Sequence, residues 1–582
     1  MISATGLRSI AMAVGTSDPD RLDLVCRDLV QGADIGCRGE FRRPSRSGNA
    51  PSALECAREV TDAVASWVAA GFAIGPFTAE ETPPDVKVSG IMTRPKPNGS
   101  VRIILNLSAP AGQSVNDGID LADFPATMSS TGKWLRVLAA VGRGAHMIKM
   151  DWADAYKHVH VRPEDVKLQW FSWLGMNFAE VCLVFGAVSS VGIYDRAAKV
   201  VLELVLRMCG FPAQLVCQHL DDVCAADGAA NGDRLRRFEE CYRAVAAQIG
   251  VKLAPPEDKD KGFSLCKRGI VLGVEYDTEA WTWAIPGEKV ARLLGQIRRA
   301  LEAVAVRQDE VWSLVGRIIH YAPLVPCGRF NIDHLVRANA LSEDKASLVQ
   351  LPPAAKRQLE FWRLIIMVSS GFARLPDLSI LPAWTVEAFT DAAGGSPSGF
   401  RGSGGVVADW WYFLPWSKAI NCGDFAADGK RLGKKLSALE LVGPLVVVAA
   451  APELCRRQPV RVWVDNAGSV RIWEKGYSSS CGLCTTIVKA AASVAAALGC
   501  RLEVHKIRRC SSPGAVMADA LSQGDFRRFR AAAAAAGQDL RPVPAVVPRA
   551  IYKWLARPVV DDDLGQRILL EMAASTALLG YP

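Results

Sequence analysis

Two adjacent carboxylates, Asp221 and Asp222, stand between short apolar runs, Leu215-Val216-Cys217 before and Val223-Cys224 after. Apolar runs broken by a tight acidic pair predict a β-hairpin with two charges at its tip. Side-by-side carboxylates that are partly withdrawn from water repel, and a divalent cation is the usual compensation. A third carboxylate, Asp151, follows the short apolar stretch His146-Met147-Ile148-Lys149-Met150, which reads as a strand. Acid runs alone are weak evidence. Asp561-Asp562-Asp563 is longer, yet it precedes Leu564-Gly565-Gln566-Arg567-Ile568-Leu569-Leu570 and reads as a solvated helix N-terminus complementing the dipole.

Four more acids occupy element ends downstream. Trp384 to Ala392 reads as an apolar strand carrying Asp391. Val406-Val407-Ala408 and Trp410-Trp411-Tyr412-Phe413 continue it as a meander. Glu440 lies in Ser437-Ala438-Leu439-Glu440-Leu441 on a Leu/Val/Ala-rich helix, and Asp465 ends the strand Arg461-Val462-Trp463-Val464. His505 closes a fifth strand, and Asp519 opens a last helix in Met517-Ala518-Asp519-Ala520-Leu521-Ser522. Singly, each is an acid where solvated or capping carboxylates are common.

The elements that must position these groups are set by length and composition. At 582 residues, with 50% hydrophobic and 22% charged residues, the chain is globular and too long for one core. A net charge of +8 is compatible with a polyanionic partner without requiring one. The sixteen cysteines are scattered and read as reduced thiols; Cys481-Gly482-Leu483-Cys484 has no second pair at zinc spacing. The longest uncharged apolar run, Leu441 to Pro452, is too short to cross a bilayer, and the N-terminal patch Ile10 to Val14 reads as a poor secretory signal. A soluble protein of the nucleus or cytoplasm is expected.

Asp151-Trp152-Ala153-Asp154-Ala155-Tyr156, followed by the His219-Leu220-Asp221-Asp222 hairpin, resembles the palm of reverse transcriptases. The resemblance implies that Asp151, Asp221 and Asp222 are catalytic and hold Mg²⁺ (with Mn²⁺ as an alternative) for in-line nucleotidyl transfer. Thr93 to Asn106 resembles the family's fingers hairpin around the turn at 96–100, where Lys96 and Arg102 would grip the incoming triphosphate. Tyr156 stands at the steric gate that excludes a 2′-hydroxyl, which favours DNA over RNA synthesis. Phe185 and Gly186, in Leu183-Val184-Phe185-Gly186, resemble the loop that supports the nucleotide; the two prolines of that motif are replaced by Val184 and Val191. Lys261, ahead of Leu272-Gly273, matches the lysine that acts as general acid toward pyrophosphate, with Lys259 close by. Pro286 to Val306 reads as an amphipathic helix with Val290, Leu293, Leu294, Ile297, Leu301 and Val304 on its stripe. Its Arg292, Arg298 and Arg299 would track duplex phosphates.

Asp391, Glu440, Asp465 and Asp519, in strand–helix–strand–helix order, resemble ribonuclease H, whose four acids bind two Mg²⁺ and cut the RNA of an RNA–DNA hybrid. Ala515 replaces an asparagine frequent there, and Lys430-Arg431, Lys434-Lys435 and Arg508-Arg509 offer cations for the hybrid. The region Val311 to Arg329 is most similar to the DIRS group of retroelements, with gypsy-like and pararetroviral enzymes next. The expected fold is α+β: a right-hand polymerase (fingers, palm, thumb) followed by an α/β ribonuclease H-like domain. The expected parts are an irregular extension at 1–50, fingers and palm at 51–285, thumb and connection at 286–380, ribonuclease H at 381–530, and a linker with a short helical tail at 531–582. The implied activity is RNA- and DNA-directed DNA synthesis with ribonuclease H. Its partners would be an RNA template, a DNA primer, RNA–DNA hybrid and dNTPs, with no membrane. The departures at Val184, Val191, His219 and Ala515 sustain an alternative, a decayed or domesticated copy acting as a nucleic-acid-binding subunit.

Overall fold

Strand and helix periods alternate along the sequence, and the computed structural model is accordingly a mixed α+β protein. It describes residues 1–95, 101–255, 258, 261–325, 327–369, 371–374, 386–394, 401–422, 433–543 and 546–578. The chain divides into two units, one built on the described residues of 1–283 and the other on those of 284–373 and 386–578. Among the described residues no helix is long and apolar enough to cross a membrane.

The first unit begins with α1 (Ala4–Val14) and α2 (Pro19–Gln31), capped by the side chains of Ser3 and Asp18. Residues 1–50 are therefore not the irregular extension expected. Leu7, Ile10, Leu22, Val25 and Cys26 enter the same core as Tyr194 and Leu204. Each helix has only a short apolar stripe inside a Gly-, Ser- and Arg-rich stretch, so the period is hard to see until the partner surface is known. β1 (Ile91–Pro95) and β2 (Val101–Leu105) pair antiparallel from Ile91↔Leu105 to Pro95↔Val101. The turn at 96–100, Lys96 included, lies outside the described residues.

The unit's central sheet is antiparallel, in the order β6–β3–β5–β4, from β3 (His146–Asp151), β4 (Val216–His219), β5 (Asp222–Asp227) and β6 (Phe263–Cys266). β3 and β5 are buried almost throughout, which explains their continuous apolar runs in place of alternation. Helices α3 (Ser190–Cys209) and α4 (Gly232–Gln248) pack on each other, and α4 packs on β3 and β5.

The second unit opens with α5 (Gly287–Glu302), which buries Leu293, Ile297 and Ala300 and exposes Arg292, Arg298 and Arg299. The helix stops at Glu302, so Val304, expected on its stripe, lies beyond it and is 81% exposed. α6 (Gln308–Tyr321) follows. The main sheet has the order β11–β10–β7–β8–β9, formed by β7 (Val386–Ala392), β8 (Gly402–Val407), β9 (Trp410–Pro415), β10 (Pro459–Val464) and β11 (Arg501–Lys506). β7, β8 and β9 are an antiparallel meander, and β10 and β11 run parallel to β7.

α7 (Gly433–Ala450) is buried on nearly every side, so its apolar run belongs to a core helix. α8 (Gly482–Ala497) packs on α7, and α9 (Pro513–Ser522) packs on β7, β8 and α10 (Phe526–Ala535). The tail is more integrated than a linker. The strand Arg541–Pro542 pairs with β9, and α11 (Arg549–Ala556) and α12 (Leu564–Leu578) place Ile551, Trp554, Leu555, Leu564 and Ile568 in this unit's core. The acid run before α12 is not simply solvated either. Asp562 lies 3.3 Å from both Lys489 and His334, and Asp561 is paired with Arg567.

Candidate functional site

The first acidic centre is built by register. Leu220 and Asp221 form a two-residue hairpin loop between β4 and β5, which sets His219 opposite Asp222 and Asp222 opposite Asp151. Such a loop needs a positive φ, and Leu220 supplies it at φ 52°. A non-glycine residue there costs roughly 1 kcal/mol, strain that the surrounding ladder holds in place. The Trp152 N–H donates to the Asp221 carbonyl at 3.1 Å, and the Ala254 N–H to that of Asp151 at 2.8 Å.

Burial above all pushes the Asp151 carboxyl up to about 6, with the charges of Asp221 and Asp222 adding to it against the pull of Lys261. Burial likewise raises Asp222 despite Lys149. Two ammonium groups hold these acids: Lys261 Nζ is 3.0 Å from Asp151 Oδ1, and Lys149 Nζ is 3.2 Å from Asp222 Oδ1. Lys149 escaped the sequence reading, although its place two residues before Asp151 puts both on one face of β3. Lys259 lies outside the described residues. His219 Nδ1 lies 2.6 Å from the Ser129 carbonyl oxygen, which can only accept, so the ring nitrogen is the donor.

An aromatic wall adjoins this centre. The buried Tyr156 ring lies 4.7 Å from Phe185 and 5.6 Å from Tyr194, and the Arg102 guanidinium sits 4.7 Å over Phe185. Phe185 is 41% exposed. Burial raises the Tyr156 phenol to about 12, keeping it protonated. Gly186 is required sterically: at φ 125° its added Cβ would sit 1.9 Å from the Leu105 carbonyl oxygen. The Leu105 N–H donates to the Phe185 carbonyl at 2.9 Å, so the close approach ties this loop to β2.

The second centre is tighter. Asp391 on β7, Glu440 on α7 and Asp465 after β10 offer ligand atoms that all lie within 4.8 Å of one another. Among the described residues this is the one acidic group that meets that spacing; Asp151, Asp221 and Asp222 do not. Burial chiefly, then neighbouring acids, raises Asp391 to about 6 and lifts Glu440 well above the ordinary carboxylate range. Glu440 Oε2 is buried without a hydrogen-bond partner. An orphaned oxygen among three converging carboxylates fits a divalent cation. Ser522 on α9 donates to Asp391 Oδ2, a positioning contact that no sequence signal announced.

Asp519, the fourth expected acid, stands beside this group and not within it. It accepts from Arg528 Nη1 at 2.6 Å and lies 3.9 Å from Arg509 Nε, which is itself 2.8 Å from Asp465 Oδ2. Ala515, in place of the asparagine, lines the same small pocket with Thr390, Asp391, Asp465, Arg509 and Asp519. Lys430, Arg431 and the side chains of Lys434 and Lys435 lie outside the described residues.

No protein-family model matches the chain, and no curated protein matches it. Among solved structures, it is similar to a foamy viral protease–reverse transcriptase in complex with double-stranded DNA, at 12% identity. That match covers 87% of this chain and 82% of the other with a TM-score of 0.44. A second structure described in the same terms gives 12% identity over 87% and 98% with a TM-score of 0.41. A likeness at this level carries no argument of its own.

Proposed function

We propose that this chain is a retroelement reverse transcriptase with ribonuclease H activity, most like the DIRS group. The observation that carries the reading is the pair of separate acidic centres in one chain. One has Asp222 in register with Asp151 behind a strained hairpin; the other is the converging set Asp391, Glu440 and Asp465. Fingers and palm are assigned to 51–285, thumb and connection to 286–380, and ribonuclease H to 381–530, with 1–50 and 531–582 as extensions whose described helices pack on the first and second unit.

Mg²⁺ or Mn²⁺, when bound, supplies Lewis acidity at the primer hydroxyl, the leaving pyrophosphate and the hydrolytic water. The chain's own residues do the rest. Asp151, Asp221 and Asp222 collect negative charge at the hairpin tip, and Lys261 keeps an ammonium there that can protonate pyrophosphate. Arg102, stacked on Phe185, presents a guanidinium to a triphosphate, as Lys96 would from the adjoining turn. Tyr156, packed between Phe185 and Tyr194, cannot move aside for a 2′-hydroxyl. Arg292, Arg298 and Arg299 present cations to duplex phosphates. In the second unit Asp391, Glu440, Asp465 and Asp519 direct hydrolysis of the copied RNA.

The test separates the two centres. Asp221→Asn/Asp222→Asn is expected to abolish primer extension on RNA and DNA templates while leaving hybrid cleavage. Asp391→Asn is expected to do the reverse. Extension that is equal in wild type and the hairpin variant would sink the polymerase assignment. Hybrid binding with no Mg²⁺-dependent activity would establish the decayed binding subunit in its place. Competition of rNTPs against dNTPs reads the Tyr156 gate; equal use of both would oppose DNA synthesis as the activity.

A further inference from the structure

Three of the four acids in the second unit converge, and the fourth is held elsewhere by two arginines. Asp519 is bonded to Arg528 from α10, and Arg509 reaches from Asp465 toward it. Both arginines are accessible, with side chains 61% exposed for Arg509 and 43% for Arg528, so neither is locked in place. The charges balance in two ways. Four ionised carboxylates carry four negative charges, which one divalent cation and two guanidinium groups neutralise. Two divalent cations neutralise the same four, and the arginines are then surplus.

We propose that Arg528 and Arg509 are positioning residues that gate Asp519, so that this centre loads one cation by itself and a second only when nucleic-acid phosphates draw the arginines away. The proposal rests on the ribonuclease H reading above. Before substrate docks, Arg528 holds Asp519 out of the ligand set, and Arg509 occupies the space between Asp465 and Asp519. The backbone of a docking hybrid offers both guanidinium groups a stronger bidentate partner. Asp519 then turns to the metal side. Hydrolytic competence is thereby tied to the presence of a polyanion, and the free enzyme is kept from assembling a complete two-ion centre.

The full-length chain carrying Asp151→Asn, Asp221→Asn and Asp222→Asn allows the second unit's ions to be counted by electron paramagnetic resonance of Mn²⁺. One ion per chain is expected above an added Asp391→Asn control, with a second binding much more weakly. Arg528→Met should tighten that second ion about fivefold, the scale of a partly exposed ion pair, and Arg509→Met should act in the same direction. Arg528→Lys should keep the behaviour of the parent, because the charge is retained. A cleavage-resistant hybrid with 2′-fluoro RNA should bring in the second ion without any substitution. The proposal is overturned if Arg528→Met leaves the second affinity unchanged, if Arg528→Met and Arg528→Lys behave alike, or if the hybrid has no effect. Loss of all binding above the Asp391→Asn control would overturn the ribonuclease H reading as well. A single retained ion with indifferent arginine variants would overturn the gate alone.

Discussion

Ser522, on the last turn of α9, donates its hydroxyl proton to Asp391 on β7. The same hydroxyl oxygen lies 2.9 Å from the Asp519 carbonyl oxygen, one turn back on the helix, a second acceptor that competes for its single proton. Gly404 sits directly across the strand pair from Asp391, so helix, strand and acid meet where there is no side chain to keep them apart. The orientation of Asp391 toward Glu440 and Asp465 is therefore set from a helix distant in sequence.

Removing that hydroxyl leaves a buried carboxylate short of a donor. Losing a hydrogen bond to a buried charged group costs about 1–3 kcal/mol. Ser522→Ala is accordingly expected to slow cleavage of a labelled RNA–DNA hybrid by roughly tenfold or more at saturating Mg²⁺, with primer extension unchanged.

Gly404→Ala should be worse for the fold than for any single contact. The new methyl would lie 2.4 Å from Leu521 Cβ and 2.5 Å from the Ser522 backbone nitrogen, so α9 must retreat from β8. Overpacking of this kind costs about 1–3 kcal/mol. Calorimetry should show the second unit's transition lowered, and Mg²⁺ should protect the variant less than the wild type.

Stability without metal should depend on pH in a sense unusual for an acid. Asp391 has its folded pKa raised to about 6, mainly by burial, above the model-compound value of 3.8. Its contribution is fully present below the unfolded pKa and is lost as pH rises through about 6. In EDTA, wild type should therefore lose about 2–3 kcal/mol relative to Asp391→Asn between pH 4 and pH 8. Chemical denaturation at the two pH values checks this; a difference of opposite sign would refute it.

His158 gives the opposite slope in the first unit. It is buried beside Trp152, and burial chiefly depresses its pKa to about 4 from 6.5. Its Nε2 lies 3.1 Å from the Ala153 carbonyl; Asp154 favours the charged form, and Lys252 and the N-terminal amine oppose it. A depressed histidine stabilises the fold above the unfolded pKa, and that stability is lost as pH falls from 6.5 through 4. Relative to His158→Gln, wild type should lose about 2–3 kcal/mol over that window, measured by urea unfolding.

The acids themselves were legible in the sequence because each lies in or at the end of a strongly patterned element. Asp151, Asp221 and Asp222 need only the hairpin rule and a neighbouring strand. Asp391, Glu440 and Asp465 are grouped by the resemblance of their strand–helix–strand order to ribonuclease H, since each singly is an acid of a common kind. What could not be read was the partner of each group. Arg528 reaches Asp519 through the angle between α9 and α10, and Ser522 reaches Asp391 across two elements. The helices α1 and α2 were hidden for a related reason: a stripe of two or three apolar residues gains meaning only against the surface it covers.

Lys149 and Lys261 have a consequence for how the protein is made. They neutralise Asp222 and Asp151 from within the chain, so two of the three acids at the hairpin are balanced before any ion arrives. Small metal-dependent domains fold only when their ion is present. With those two pairs formed within the chain, the hairpin is expected to fold without an ion and to bind it afterwards.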